Sequence, residues 1–294
     1  MSTEVNKAFV QQFADNLIHL AQQKGSRLMP TVNVKNVTGK YAHFDRLGAT
    51  SAQKRTSRHG DTPLIDTPHS RRRAVLEDYE WADLIDSQDE LRMLIDPRSA
   101  YAEAGAWALG RTMDDVIIDA ANGNARSVDS DDSSSNVAFS TAMIVDEDFG
   151  AANSNLTFEK LNESKRLLRG NDIDPDEPMF IVVNADMLHN LLTESEIQSI
   201  DTNTVRALVR GDIDTFMGYK FIHSERISGA GTEGDPRLAL CYAKSALGVA
   251  LGQDIKVRLS ERDDKSYATQ VYACMTLGAV RVEEDKIARI ECVE

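Results

Sequence analysis

Two short motifs have the residue types of a ligand-binding site. Residues 229–234, GAGTEG, match the GxGxxG pattern of a dinucleotide-binding turn, but a helix must begin at such a turn, and here a proline and a strand-like apolar run follow. Residues 172–177, DIDPDE, are spaced like the start of a calcium loop, which needs glycine at its sixth position and glutamate at its twelfth. The chain has Glu177 and Val183 there. We therefore interpret the first motif as a flexible loop and the second as an acidic turn.

The other titratable residues form no recognisable catalytic set. The six histidines show neither HExxH spacing nor a nearby second ligand, and the sequence contains no GxSxG motif. Asp114 and Asp115 are adjacent carboxylates, but neighbours on a helix point about 100° apart. We expect Asp115 to pair with Arg111 one turn earlier. The three cysteines are far apart, which favours small buried residues over disulfides or a zinc site. We predict no enzymatic activity, no cofactor and no metal.

The most unusual charged cluster is basic and lies in residues 51–75, which we call the basic arm. The whole chain has a net charge of −14, yet residues 1–75 hold 12 basic and 5 acidic side chains, while residues 76–294 hold 21 basic and 42 acidic ones. A charge division of this kind concerns association with partners more than fold. The partner could be a nucleic acid, whose phosphates basic runs neutralise, or an acidic protein surface. The arm could also be a mobile loop without a partner.

An acidic protein surface fits the basic arm better than a nucleic acid does. The arm has no aromatic residue on which a base could stack, and the acidic body would repel a polyanion. Residues 76–120 of a second copy would supply an acidic partner, and a basic arm bound there makes a heterologous interface that propagates. We predict contacts between copies through Arg46, Lys54, Arg55, Arg58, Arg71, Arg72, Arg73, Glu77, Asp78, Asp114 and Asp115.

The hydrophobic pattern predicts an α+β fold with a strand-rich last third. Residues 4–24 have apolar side chains at helical spacing. Residues 97–122 form the clearest helix, with Asp96 to cap it, Gly123 at its exit, and small residues on one face that would let another element approach closely. Between these helices, residues 37–82 are predicted to form a projecting hairpin around a polar middle of about twenty residues, a length that is usually functional.

A charged helix over residues 157–169 is predicted to precede a buried strand, a short helix and the later strands. No run approaches the ~18 apolar residues of a membrane span. The N-terminus lacks the basic start and the apolar block of a signal peptide. We therefore expect the protein to be made in a cytoplasm-like compartment.

The order of these parts resembles the tailed-bacteriophage major capsid proteins, which have the Hong Kong 97-like fold, and in particular those without a fused scaffolding segment. The amino-acid sequence is similar to that family as well, in FADNLIHLAQQKGSRL, in FDRLGATSAQKRTSRHGDTPLIDTPHSRRR and in the run from LEDYEWADLIDSQDELRMLID through the long helix. FIVVNADMLHNLLTE, FMGYKFIHSERI and GAVRVEEDKIARIE resemble later parts of that family. The resemblance spans nearly the whole chain and is most specific in the first hundred residues.

The resemblance implies a division of the chain into five segments. In that family an extended loop reaches over a neighbouring subunit, and the loops of an axial domain meet at fivefold and sixfold centres, where GAGTEG would be a candidate tip. The implied segments are an N-arm at 1–36, the extended loop at 37–82, a peripheral domain at 83–155 with its spine helix at 97–122, the axial domain at 156–253, and the return strands of the peripheral domain at 254–294.

The function implied by the resemblance is assembly and containment. Copies of the chain would form the hexamers and pentamers of an icosahedral shell that encloses double-stranded phage DNA, in a virion capsid assembled in the bacterial host cytoplasm. The implied partners are a portal protein, a decoration protein, DNA contacted non-specifically and no membrane. A separate scaffolding protein is expected because the chain starts almost directly with the arm. No motif singles out Lys40 or Lys54 for covalent cross-linking, so none is predicted. The alternative is a shell protein of a bacterial encapsulating compartment, which has the same fold and a protein cargo.

Overall fold

The computed structural model describes residues 22–55, 57–58, 61–62, 64–86, 98–128, 133–193 and 215–294. Most of the helix predicted over residues 4–24 lies outside these ranges, as does the predicted Asp96 cap, and residues 22–24 are not helical. Within them, helices and strands are mixed and strands fill most of the last third, as the α+β prediction requires.

The described helices are α1 (Arg98–Asn122), α2 (Phe158–Gly170) and α3 (Ala185–Thr193). The described strands are β1 (Asn33–Asn36), β2 (Tyr41–Leu47), β3 (His69–Val75), β4 (Glu77–Ile85), β5 (Ala125–Val128), β6 (Ser134–Val137), β7 (Ile144–Val145), β8 (Met179–Val183), β9 (Thr215–Phe216), β10 (Tyr219–His223), β11 (Arg237–Ala243), β12 (Leu247–Arg262), β13 (Ala268–Arg281) and β14 (Ile287–Cys292).

The long helix α1 confirms the prediction over residues 97–122 at every residue of that range that the structure describes. The Gly123 N–H donates to the Asp119 carbonyl at 2.7 Å, so the predicted exit residue closes the last turn. Leu109, Met113 and Ile117 are buried on the predicted face. Helical spacing of apolar residues is therefore sufficient to locate this element.

The chain divides into two compact units, and the dividing points lie between Ser26 and Arg27 and within β4, α1, β12 and β13. The first unit comprises Met1–Ser26, Asp78–Thr112 and Gln253–Met275, and the second comprises Arg27–Glu77, Met113–Gly252 and Thr276–Glu294.

In the first unit, the small residues of α1 admit close neighbours, as the sequence predicts. A Cβ atom added to Gly105 would lie 2.5 Å from the Trp81 ring, and one added to Gly110 would lie 2.5 Å from the Gly25 Cα atom. Only glycine allows approach at these distances, because a Cβ would overlap the neighbouring atoms. These two glycines therefore fix which segments can pack against the helix.

The second unit is built around a six-stranded sheet of order β7-β14-β11-β8-β10-β9. All five residues of β8 are buried because it lies in the interior of this sheet, between β11 and β10. Helix α2 packs against β14 and β7. It begins at a Thr157 cap, whose side chain accepts a hydrogen bond from the Lys160 N–H at 3.3 Å, and it buries Leu161 and Leu168.

The second half of the hairpin predicted over residues 37–82 consists of two strands, β3 and the start of β4, that belong to different sheets. β3 pairs with β2 and β5, whereas β4 neighbours β13. The break is at Leu76, whose N–H donates to the Lys40 carbonyl at 3.0 Å and whose side chain enters an apolar cluster with Ala42 and Ala74. β13 passes close to this point: a Cβ on Gly278 would lie 2.0 Å from the Val75 carbonyl oxygen. The sequence carries no signal for this crossing.

Replacement of Gly110 by alanine tests the close approach to α1. We expect Gly110→Ala to lower the free energy of unfolding by about 1–2 kcal/mol, because overlap with the Gly25 backbone outweighs the gain in helix propensity. The matched control is Gly170→Ala at the end of α2, where an added Cβ meets no atom within 4 Å, and stability should be unchanged or raised. Urea denaturation of the purified chain measures both, and equal effects would contradict the packing argument.

Thiol reactivity tests the core of the second unit. Cys241 and Cys292 are fully buried, and burial raises the pKa of each thiol to about 12. At pH 8 both should remain protonated and inaccessible, so a thiol reagent should modify only the partly buried Cys274 before denaturation. A Cys274→Ser variant should show no rapid modification by the thiol reagent before denaturation. Rapid reaction of all three native cysteines would contradict this core.

Candidate interaction surface

The β2–β3 hairpin directs its arginines to two opposite faces. The two strands pair antiparallel along their whole length. Because side chains alternate across a strand, Arg46 and Arg72 lie on the face that enters the core, and Arg71 and Arg73 lie on the other face. The run of basic residues that looks continuous in the sequence is therefore divided by strand geometry.

The inward arginines meet at a carboxylate that sequence analysis did not single out. Arg46 Nη1 lies 3.1 Å from Glu284 Oε2 and also donates to the Val282 carbonyl at 2.7 Å. Arg72 Nη2 lies 2.7 Å from Glu284 Oε1. Glu284 is more than 200 residues from either arginine, and nothing in the sequence pairs them. Among the described residues, the acidic partner of these two arginines is therefore Glu284 of the same chain, whereas sequence analysis expected an acidic surface of a second copy.

A third guanidinium group, that of Arg281, is fully buried beside this carboxylate. Its Nε atom lies 3.8 Å from Glu284 Oε1. Its other nitrogens donate to three backbone carbonyls, those of Ala121 at 2.9 Å, Gly123 at 2.7 Å and Val137 at 3.0 Å. Arg281 therefore ties the end of α1 and the end of β6 to β13.

The outward arginines remain at the surface. Arg71 pairs with Asp45 across the hairpin at 2.5 Å, and the hydrogen bond from Arg71 lowers the pKa of Asp45 below its ordinary value. The guanidinium group of Arg73 lies 4.8 Å from the centre of the Tyr41 ring, which is itself exposed. This face presents mixed charge and an aromatic edge to solvent.

The remaining basic candidates lie in the loop between the two strands. Lys54, Arg55 and Arg58 are all exposed, and Arg55 donates to the Ser57 carbonyl at 2.9 Å. The loop is closed at its base where the Gly48 N–H donates to the Pro68 carbonyl at 2.8 Å. These three cations therefore lie at the surface of the described part of the loop.

The predicted acidic candidates lie in two different environments. Glu77 and Asp78 are exposed at the start of β4. Asp114 is fully buried in α1, where its carboxylate accepts hydrogen bonds from the Arg27 N–H at 3.1 Å and the Leu28 N–H at 3.1 Å. Asp114 therefore attaches the segment that enters β1 to the long helix.

The expected pairing of Asp115 with Arg111 is wrong. Asp115 forms a bidentate ion pair with Arg226, while Arg111 donates to the Gln22 side chain at 3.0 Å and to the Gln23 carbonyl. The planar guanidinium group of Arg226 donates to both carboxylate oxygens of Asp115 at once. Arg111, on the same helix as Asp115, is less well oriented for such a two-bond contact. Arg226 lies far along the chain, so the local rule favoured the wrong partner.

Neither ligand-like motif forms a ligand site within the described residues. The N–H groups of Ala230, Gly231 and Thr232 all point at the Asp235 carbonyl, at 3.0–3.2 Å, so they are used within the loop and not left for a phosphate. In the acidic turn, Asp174 accepts a hydrogen bond from the Asp176 N–H at 3.0 Å. Among the described residues, no cluster of side chains could hold a metal ion, and no helix is long and apolar enough to cross a membrane.

Comparison with known proteins places this arrangement in a family. The family model described as phage capsid protein matches residues 5–294. No curated protein matches the sequence. Among solved structures, the chain is similar to the capsid of cyanophage P-SCSP1u, with 17% identity, a TM-score of 0.73 and coverage of 100% of this chain and 96% of that one.

Two further structures show the same fold. A structure of Mycobacterium phage Che8 has 18% identity, a TM-score of 0.70 and coverage of 97% of both chains. The capsid of Ralstonia phage GP4 has 12% identity, a TM-score of 0.71 and coverage of 97% of this chain and 95% of that one. The expected phage capsid fold is therefore confirmed.

The two aspartates of α1 give a matched test of the buried contact. Asp114→Ala should lower the free energy of unfolding by about 2–4 kcal/mol, because it removes the acceptor of the buried Leu28 N–H and of the partly buried Arg27 N–H. Asp115→Ala removes a partly exposed ion pair and should cost about 1 kcal/mol or less. Chemical denaturation of both variants measures the difference. A loss at Asp115 equal to that at Asp114 would show that Asp114 does not anchor the N-terminal segment.

Proposed function

The chain belongs to the phage capsid protein family and is a major capsid protein, and on that premise we propose that its copies assemble as hexamers and pentamers of an icosahedral shell around double-stranded DNA. Family membership and the capsid structures imply a structural, non-enzymatic role in the virion capsid. Assembly would take place in the bacterial host cytoplasm. A shell protein of an encapsulating compartment is not favoured, because the matching family is that of phage capsids.

The observation that carries the assembly proposal is the exposed loop of the β2–β3 hairpin. Lys54, Arg55 and Arg58 are exposed there, and so is Leu64, whose side chain is 95% exposed. Burial of this apolar side chain against a neighbouring subunit would be favourable. We propose that the loop reaches over an adjacent subunit and that these cations meet carboxylates there.

The candidates for that contact are the residues whose side chains reach the surface, since a buried side chain such as that of Asp114 or Arg72 cannot meet another subunit. Arg71, Arg73, Glu77, Asp78 and Asp115 lie partly or fully exposed and remain proposed contacts. Each exposed ion pair is worth about 0–1 kcal/mol, and a closed shell gains stability from many of them acting together. Such an interface should weaken as salt screens its charges.

The rest of the proposed organisation follows the family. Residues 1–36 would form the N-arm, 37–82 the extended loop, 83–155 and 254–294 the peripheral domain, and 156–253 the axial domain, with the loop at 229–234 near a symmetry centre. A portal protein, a separate scaffolding protein and a decoration protein would be partners, and packaged DNA would be contacted non-specifically.

Removal of the loop charges tests the function. We expect Lys54→Gln, Arg55→Gln and Arg58→Gln together to reduce the yield of closed shells several-fold at low salt, while circular dichroism and the thermal midpoint stay unchanged. Negative-stain electron microscopy at low and high salt measures assembly. The control is Arg166→Gln, an exposed arginine of α2 paired with Glu163 in its own helix, which should assemble normally.

Two outcomes of this experiment distinguish a shell-forming protein held partly by charged contacts from one that is not. Wild-type shells or capsomer rings that loosen with salt support the proposal. A salt-indifferent monomer that fails to assemble even with an acidic scaffolding protein contradicts it.

A further inference from the structure

Strand β12 extends well beyond the neighbour that covers its outer side. β1 pairs with residues 248–251 of β12, whereas β12 continues to Arg262, and no other described strand lies on that side. The Val37 N–H donates to the Leu251 carbonyl at 3.0 Å, so the main-chain groups of Leu251 face outward. Main-chain groups alternate between the two sides of a strand. The same open side is therefore faced by the main-chain groups of Gln253, Ile255, Val257, Leu259 and Glu261.

This open edge of β12, residues 253–262, is accessible and partly apolar. Residues 256–261 are all exposed, and the side chains of Val257 and Leu259 are 38% and 52% exposed. The Ile255 N–H donates to the side chain of Asp254 at 2.7 Å, as an N–H group at an open edge can do. A long exposed edge of this kind is a template for pairing with a further strand.

β4 forms the opposite edge of the same four-stranded sheet, whose order is β1-β12-β13-β4. Both edges lie in the first unit. The Leu84 N–H donates to the Asp83 side chain at 2.8 Å, the same local arrangement as at Ile255, and Leu84 is 45% exposed. Because β13 lies between β12 and β4, the two edges cannot meet within one copy of the chain.

The two edges carry opposite charges. Lys256 and Arg258 lie in the middle of the open β12 edge and are exposed, whereas β4 has acidic side chains, among them the exposed Glu80 and Asp83, and no basic one. Like charges on paired strands are destabilising, and opposite charges are stabilising. Pairing of β12 with β12 would bring two basic strands together, and pairing of β4 with β4 two acidic ones. The charges therefore favour pairing of β12 with β4.

We propose that the open β12 edge of one copy pairs with the β4 edge of a second copy, so that the sheet continues from subunit to subunit. This inference rests on the proposed function, in which copies of the chain assemble. Because the two edges differ, the contact is heterologous and is repeated from copy to copy. Main-chain hydrogen bonds supply its affinity, as in other cases of strand addition, and the charges of Lys256 and Arg258 select the partner edge.

Hydrogen exchange of the wild-type chain, measured by mass spectrometry on free subunits and on assembled shells, tests the pairing. Amides of residues 253–261 and 80–85 should exchange roughly tenfold more slowly in shells, because paired amides exchange only when the strands open. The reference is β6, an exposed edge strand of another sheet, whose exchange should not change. Equal slowing at β6 would indicate general shielding and contradict the pairing.

Charge reversal tests the choice of partner edge. Lys256→Glu with Arg258→Glu, and separately Glu80→Lys with Asp83→Lys, should each reduce the yield of closed shells several-fold, because like charges then face each other. All four substitutions in one chain restore opposite charges and should recover most of the yield. The control, Arg169→Glu with Lys220→Glu, reverses two exposed cations of the second unit and should assemble normally.

The results separate failure of the pairing from failure of the proposed function. If the wild-type chain forms no shells, both are contradicted. If shells form without slower exchange at the two edges, or if either charge reversal assembles like the wild type, the pairing alone is overturned. Failure of the fourfold variant to assemble, with a wild-type circular dichroism spectrum, also overturns it. If a variant does not fold, hydrogen exchange of the wild-type shells decides.

Discussion

Glu284 accepts hydrogen bonds from Arg46 and Arg72, and so links both strands of the β2–β3 hairpin to the connection between β13 and β14. The carboxylate is largely shielded from water, which strengthens each of these bonds relative to an exposed ion pair. The base of the hairpin is therefore fixed, while the loop beyond Leu47 carries exposed cations outward. Every proposed contact of the basic arm depends on this attachment.

Buried cations hold the loops of the second unit in the same manner. Lys160 is fully buried, and its Nζ atom donates to the carbonyls of Glu147, Ser154 and Glu291 at 2.7–2.9 Å. Burial lowers the pKa of this ammonium group, since the charged form loses its hydration. Lys160 and Arg281 each donate to three backbone carbonyls, so these buried basic side chains link parts of the chain that are distant in sequence. These cations stabilise architecture and are not available to a partner.

The charge pattern along the sequence consequently overstates the charge at the surface. Asp114 accepts hydrogen bonds from backbone N–H groups inside the fold, and Glu284 accepts them from the arginines of the hairpin. The proposed contacts between subunits draw on a smaller set of exposed residues, the loop cations of the hairpin and the carboxylates at the start of β4, whose charges are opposite. One basic segment is thus attached to its own chain through Arg46 and Arg72 and exposes Lys54, Arg55 and Arg58 at the surface.

Local patterns in the sequence determined the elements that depend on neighbouring residues. The spacing of Leu109, Met113 and Ile117 located α1, the Thr157 cap is consistent with the start of α2, and the order of parts indicated the family. Tertiary structure alone decided which charges meet, because Arg72 and Glu284, or Asp115 and Arg226, are far apart in the chain and become neighbours only when strands pair. Tertiary structure also decided that β3 and β4 separate at Leu76, where Gly278 of β13 passes close to the Val75 carbonyl and β4 joins a different sheet. Helix and strand periods act over a few residues, whereas an ion pair depends on distance in space, which the sequence does not encode locally.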